Sequence, residues 1–143
     1  MSAATSVAIA ATFVWLGMVL AISFLEAPLK FRASGVTLPI GVGIGRLVFR
    51  ALNASEALLA AVWLVAAIAG PVRAPAVMAG ALPIAVLVLQ VAVVRPRLSG
   101  HSDAVIAGSR IRRSSSHYAY VATEIVKVAA LATAGLLLLA GGN

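Results

Sequence analysis

The sequence contains no cysteine, and only 4 of its 143 residues are Asp or Glu. The absence of thiols excludes disulfide bonds, thiolate metal sites and cysteine nucleophiles. Charged residues make up 10% of the chain, whereas a soluble domain typically has about a quarter. A chain that is 62% hydrophobic has too few polar side chains to cover a water-facing surface. The composition therefore predicts an integral membrane protein.

The basic residues outnumber the acidic ones, with 11 Lys and Arg against 4 Asp and Glu and a net charge of +7. In a soluble protein this excess would suggest a nucleic-acid partner. Here the basic residues lie between apolar runs, so the anionic headgroups of the lipid bilayer are the predicted counter-charge, and no nucleic acid is expected.

Four charge-free apolar runs organise the chain: Met1–Leu25, Ala57–Val72, Ala74–Val94 and Val128–Asn143. A transmembrane helix needs about 20 apolar residues. The second and fourth runs are too short, so their helices must begin near Ala51 and near His117. Glu56, Glu124 and Lys127 are thereby drawn into the bilayer. We predict an all-α membrane protein with four transmembrane helices in one domain, 1–143, with spans at about 4–27, 51–70, 75–94 and 117–140.

The distribution of Lys and Arg predicts the topology, because cytoplasmic loops of membrane proteins are enriched in both. The loop between the second and third runs has only Arg73. The two other loops are rich in basic residues, namely Lys30, Arg32, Arg46 and Arg50 in the first and Arg95, Arg97, Arg110, Arg112 and Arg113 in the last. We therefore expect a multi-pass protein of the cell membrane, with both long loops cytoplasmic and both termini outside.

The chain resembles two tandem copies of one helical hairpin, 1–70 and 71–143. Pro28 and Pro96, which close the first and third runs, lie 68 residues apart. Ala54-Ser55-Glu56 and Ala122-Thr123-Glu124 share the same offset. A repeat in the same orientation implies a pseudo-twofold axis along the membrane normal. That axis would place Glu56 and Glu124 in equivalent positions.

The two long loops have the pattern of amphipathic segments that lie in the headgroup layer. Val36–Leu52 is apolar apart from Arg46 and Arg50, one turn apart, and Asp103–Arg113 alternates apolar and basic positions. No strand precedes Gly41–Gly45, so a dinucleotide-binding loop is rejected. These glycines are expected to permit close packing.

Several polar residues are predicted to converge on the cytoplasmic part of the bilayer. His117, Tyr120, Glu124 and Lys127 are spaced three, four and three residues apart and share one helix face. Placing a charge in hydrocarbon costs roughly 2.5–3.5 kcal/mol, so embedded ionisable residues point to function. The acid/base or ion-coupling candidates are Glu56, Glu124, Glu26, His117 and Tyr120, and the binding candidates are Asn53, Arg46, Arg50, Gln90 and Lys127.

A structural interpretation stands beside the functional one. Glu124 would pair with Lys127, and Glu26 and Glu56 would pair with Lys30, Arg46 or Arg50, which would only fix the helix packing. A carboxylate di-metal site normally shows Glu-x-x-His on facing helices, and neither Glu56 nor Glu124 has that motif. No metal or cofactor is therefore predicted.

The segment Phe24–Arg32, with Gly41–Gly45, Val48-Phe49 and Asn53–Glu56 after it, resembles the transmembrane protein 205-like family of small four-helix proteins. The likeness covers residues 15–60 best. It implies four helices and points towards transport, without a defined activity. Glu26 and the Tyr-rich start of the fourth span are not part of that family pattern.

Three functions are compatible with these patterns. The first is a small transporter or channel, expected to be a homo-oligomer, for a proton, a cation or a small solute. The second is a membrane enzyme or binder that acts on an isoprenoid-like or quinone-like lipophile by carboxylate acid/base chemistry. The third is an accessory subunit of a membrane complex.

Overall fold

A computed structural model describes residues 1–108 and 115–141, and the side chains of Ser115 and Ser116 lie outside that description. The described chain is helical and contains no strand. Its helices are α1 (Ala3–Arg32), α2 (Leu38–Ala69), α3 (Ala74–Ile106) and α4 (Ser115–Gly141). All are long and apolar enough to cross a membrane, as the composition predicts.

Local capping residues set the helix ends. Ser2 precedes α1, and its hydroxyl accepts a hydrogen bond from the Thr5 backbone N–H at 3.1 Å. Thr37 caps α2 in the same way, with Pro39 in the first turn. A side-chain oxygen at this position satisfies one of the N–H groups that a helix start leaves unpaired. Gly70 and Pro71 end α2, because proline cannot continue the helical hydrogen bonding.

Helices α1 and α3 contain π-helical segments, Leu20–Glu26 and Gln90–Val94. Each segment ends two residues before a proline, Pro28 or Pro96. Proline has no N–H to donate to the preceding turn, and a π-helical turn accommodates the interrupted hydrogen-bond ladder. Both helices then continue beyond the proline.

The four helices form a bundle in which α1 packs against α2 and α4, while α3 packs against α4 and, mostly through Arg95–Ile106, against α2. Gly70 lies beside Ala4, and Gly141 lies beside Arg73, so both described termini share one end of the bundle with the α2–α3 loop. At the opposite end Lys30 approaches Gly45. Helices α2 and α4 are therefore diagonal partners rather than neighbours.

Helix α2 corrects the expected helix start near Ala51, because it begins at Leu38 and continues without interruption. Residues 38–52 are consequently the first part of this helix rather than a loop segment, and their place in the headgroup layer stays a prediction. Glycine weakens helices by about 1 kcal/mol, but Gly41 and Gly45 let α1 pack closely here. A Cβ atom would lie 2.2 Å from the Phe31 ring at Gly41 and 2.7 Å from Lys30 Nζ at Gly45. Which part of α2 crosses the bilayer stays a prediction.

Only part of the second predicted interfacial segment, Asp103–Arg113, belongs to the described structure. Its first residues, to Ile106, belong to α3, whereas residues 109–114 lie outside the described part of the chain. Helix α1 also extends past the expected boundary, to Arg32. Hydropathy marks where a chain leaves hydrocarbon, but a helix can continue into the headgroup layer.

Two apolar layers occupy the interior of the bundle. Near the end that holds the termini, Ala8 and Ala11 of α1 pack with Trp63 and Ala66 of α2. The second layer contains Trp15, Val19, Ala60, Leu87 and Leu131. Apolar side chains also cover the outside, where Ile68 is 85% and Met78 is 75% exposed, as expected for a protein surrounded by lipid.

Candidate functional site

A buried polar network lies about midway along the four helices, beyond the second apolar layer. Its centre is Lys127 of α4, whose ammonium donates to Glu56 Oε1 at 2.6 Å and to Glu124 Oε1 at 2.8 Å. The side chains of Lys127 and Glu56 are 0% exposed, and that of Glu124 is 1% exposed. We call Glu56, Glu124 and Lys127 the triad.

Glu124 is fully supplied with hydrogen-bond donors. Its Oε1 accepts from Lys127 and from Gln90 Nε2 of α3, the latter at 2.6 Å. Its Oε2 accepts from the Ser23 hydroxyl of α1 at 2.5 Å. Gln90 also donates to Thr123 Oγ1 at 2.8 Å. Both oxygens of this carboxylate are therefore engaged.

Only one oxygen of the Glu56 carboxylate accepts hydrogen bonds from the described residues. Its Oε1 accepts from Lys127 and from the indole Nε1 of Trp15 at 2.8 Å, whereas Oε2 has no partner within the described protein. Three further buried polar atoms share this property, namely Asn53 Oδ1, Gln90 Oε1 and the Tyr120 hydroxyl oxygen. Buried polar groups are normally paired, and three of these four atoms, all but the Tyr120 hydroxyl, can only accept a hydrogen bond.

The charges of the triad do not balance. Two carboxylates share a single ammonium, so the fully ionised triad has a net charge of −1. Among the described residues Lys127 is the only basic side chain that is buried. An unpaired charge in a low-dielectric interior is costly. The arrangement is thus suited to accept one additional positive charge or proton.

Several predicted site residues do join this region. Glu56, Glu124, Gln90 and Lys127 belong to the network directly. Asn53 and Tyr120 are also buried, at 5% and 7% exposure. The Tyr120 ring meets the Phe49 ring edge-on, with a centroid distance of 5.2 Å.

The structure places the other candidates elsewhere. Glu26 pairs with Lys30 at 3.4 Å on the same helix, and Arg46 pairs with Asp103 on the surface. Arg50 is exposed, and His117 is half-buried, with its ring 6.0 Å from that of Tyr118. The expected pairing of Glu56 with an arginine or Lys30 is corrected, because its partner is Lys127.

Trp15 and Thr123 belong to the network, although neither is among the predicted site residues. In the sequence Trp15 is one residue of the first apolar run, but in the structure its indole N–H donates to Glu56. One signal was present: tryptophan in membrane proteins concentrates at the interfaces, and Trp15 lies in the middle of the first apolar run. A buried indole N–H usually finds an acceptor, and a membrane carboxylate is the strongest one available.

Two cavities of the described structure lie away from the triad. One is an open apolar groove of about 350 Å³ between α1 and α2, lined by Ala4, Val7, Ala61, Val62, Val65 and Ala66. The other is a small pocket near Arg73 and Gly141. Within the described residues no three His, Asp or Glu side chains converge as metal ligands.

Comparison of the chain with protein families, with characterised proteins and with solved structures yields no match. The likeness to the transmembrane protein 205-like family therefore stays an expectation from the sequence. The geometry of the buried network is the basis on which a function is argued.

Proposed function

We propose that this protein is a small multi-pass carrier of the cell membrane that moves protons or a small monovalent cation. Glu56 and Glu124 would bind the ion, and Lys127 would hold the two carboxylates together. One observation carries the proposal: two buried carboxylates share one buried ammonium. A purely structural ion pair needs only one acid for each base.

The electrostatics of the triad support ion binding. Insertion scales give a cost of roughly 2.5–3.5 kcal/mol for one charge at the centre of a membrane helix. An excess negative charge therefore favours uptake of a proton or a cation, which makes the triad neutral. Three acceptor oxygens without a donor, on Asn53, Glu56 and Gln90, add to the same preference.

The described part of the network extends towards the end of the bundle opposite the termini. Ser23, which binds Glu124, is half-buried and lies in the π-helical part of α1. Towards the other end the interior is closed by Ala8, Ala11, Trp63 and Ala66. This one-sided access favours a carrier that changes conformation over a permanently open channel. The side with Ser23 would face the cytoplasm if the basic loops do.

A repeat of the hairpin would suit such a carrier, because many transporters consist of two related halves around a central site. The two π-helical segments end at Glu26 and Val94, which differ by the 68-residue offset. Buried positions follow the same offset, in the pairs Trp15 and Pro83, Val19 and Leu87, Leu52 and Tyr120, Glu56 and Glu124, Trp63 and Leu131, and Ala66 and Ala134. This pattern supports the repeat.

The test is ion flux in proteoliposomes. Purified protein is reconstituted with a pH-sensitive dye inside, and a potassium diffusion potential provides the driving force. We expect proton flux from the wild type and its loss in Glu56→Gln and Glu124→Gln. Sodium uptake measured in parallel distinguishes the two kinds of ion.

Glu26→Gln provides the matched control, since Glu26 is an acid of α1 that pairs with Lys30 outside the network. We expect this variant to keep its flux. Equal flux in all three variants, or no flux of any ion in the wild type, would contradict the proposal. Native mass spectrometry of the same preparation measures whether the protein is the expected homo-oligomer.

An accessory role is the second candidate, and one observation favours it. The triad is buried and neither described cavity borders it, as expected of a network that only fixes helix packing. In that case Glu56→Gln would change assembly with a partner subunit and leave every flux unchanged. A lipophile-processing enzyme needs a cup beside the carboxylates, and the apolar groove lies away from them.

A further inference from the structure

The two carboxylates of the triad are not equivalent. Glu124 accepts from Lys127, Gln90 and Ser23 and uses both of its oxygens. Glu56 accepts from Lys127 and Trp15 through Oε1 alone, and its Oε2 has no donor within the described protein. Donors to a carboxylate stabilise its ionised form, and Glu124 has three of them on two oxygens, whereas Glu56 has two on one oxygen.

An acceptor for a proton on Glu56 lies on the same helix. Asn53 is three residues earlier and therefore on the same face of α2. It is buried, with 5% of its surface exposed, and its Oδ1 has no donor among the described residues. A protonated Glu56 Oε2 would donate to an acceptor such as Asn53 Oδ1, which would provide a partner for both orphaned atoms.

A proton fits this position better than a metal cation does. Lys127 Nζ lies 2.6 Å from Glu56 Oε1, so a metal ion on the neighbouring Oε2 would meet a like charge in a medium of low dielectric constant. A bound proton converts the carboxylate into a neutral acid, and no such repulsion arises. Proton uptake also requires no cavity beside the carboxylate.

We propose that Glu56 is the proton-binding residue, that Asn53 accepts the hydrogen bond of its protonated form, and that Glu124 and Lys127 remain an ion pair. A proton from the aqueous phase adds to Glu56 Oε2 and gives the uncharged carboxylic acid, so no further reactant is needed. This inference rests on the proposed transport function, because it names the ion and the residue that binds it.

The charged and titratable groups around Glu56 come mainly from α4. Lys127 binds Glu56 directly, and Glu124 binds the same ammonium. Tyr120 lies close enough to Glu56 to interact with it electrostatically, and Arg95 of α3 interacts with Tyr120 in the same way. The network residues Trp15 of α1 and Gln90 of α3 do not titrate. When Glu56 becomes neutral, Lys127 is attracted by Glu124 alone. Proton binding thus weakens the link between the diagonal helices α2 and α4.

Infrared difference spectroscopy of the reconstituted protein tests the assignment, because a protonated carboxyl has a carbonyl band that a carboxylate lacks. The chain has three glutamates, Glu26, Glu56 and Glu124. The Glu26→Gln variant removes the glutamate outside the triad and leaves the charges of the triad unchanged. With ¹³C-labelled glutamate in this variant we expect one isotope-shifted band that appears as the pH falls. Asn53→Leu should change the frequency of that band, whereas Ser55→Ala on the same helix should not.

The result that overturns the inference is a titrating glutamate band that persists in Glu56→Gln and is lost in Glu124→Gln. Should Glu56→Gln fail to accumulate, a band whose frequency changes in Ser23→Ala and not in Asn53→Leu has the same meaning, because Ser23 binds Glu124. The spectroscopic result is independent of flux. A Glu56 band without proton flux supports this site and contradicts transport, whereas flux with the band on Glu124 supports transport and contradicts this site.

Discussion

Lys127 of α4 donates a hydrogen bond to Glu56 of α2 across the centre of the bundle, over 2.6 Å, although α2 and α4 are not neighbouring helices. The contact is possible because two long side chains extend inwards from opposite corners. The other two helices bind the same pair of carboxylates. Trp15 of α1 donates to Glu56, and Ser23 of α1 and Gln90 of α3 donate to Glu124. The network therefore links all four helices, and its residues are expected to affect both folding and ion binding.

Removal of the central ammonium should destabilise the protein strongly. Lys127→Met leaves two buried carboxylates without their shared partner, and breaking a buried ion pair typically costs about 3–5 kcal/mol. Thermal unfolding in detergent measures the effect. Arg46→Met provides the control, because its pair with Asp103 is exposed and such pairs contribute about 0.2–1 kcal/mol. Adding Glu56→Gln and Glu124→Gln to Lys127→Met should restore much of the stability, and no recovery would show that charge is not the cause.

Close packing at Gly80 should make that position intolerant of a methyl group. A Cβ atom there would lie 2.0 Å from the Trp63 ring, and overpacking typically costs about 1–3 kcal/mol. Gly17 is also helical, but nothing lies within 4 Å of its Cβ position. Gly17→Ala should therefore stabilise the protein slightly, by up to about 1 kcal/mol of helix propensity. Equal unfolding temperatures for Gly80→Ala and Gly17→Ala would contradict the close contact of α3 with α2 at Gly80.

The membrane topology is testable without background labelling, because the chain has no natural cysteine. Ser34→Cys lies in the α1–α2 loop, and Ala74→Cys lies at the start of α3, at the opposite end of the bundle. In intact cells an impermeant thiol reagent should label Ala74→Cys at once and Ser34→Cys only after permeabilisation. The reverse order would place both basic loops outside and would contradict the charge-based prediction.

The helix count was predictable because hydropathy is a local sum over about 20 residues. The same length argument drew Glu56, Glu124 and Lys127 into the apolar part of the chain, and all three are buried in the structure. The start of α2 was not predictable in this way. Thr37 and Pro39 begin that helix well before the charge-free run, because capping chemistry determines where a helix starts, whereas hydropathy indicates where it can enter lipid.

The partners of the buried charges were only partly predictable. Glu124 and Lys127 are three residues apart on one helix, so their pairing follows from helix geometry, as does that of Glu26 with Lys30. The contact of Glu56 with Lys127 spans 71 residues of sequence. Its existence depends on how far each helix is rotated about its own axis.

Local sequence accounts for the apolar composition of this protein, its four long apolar helices and the ionisable side chains within them, since each follows from residues close together in the chain. The assembled bundle brings two carboxylates to one lysine, places Trp15 against Glu56 and keeps Glu26 and Arg46 outside the network. These contacts depend on the rotation and register of the helices. Both follow from the packing of all four helices at once, including close contacts such as that of Gly80 with Trp63, and no local pattern of residues contains that information.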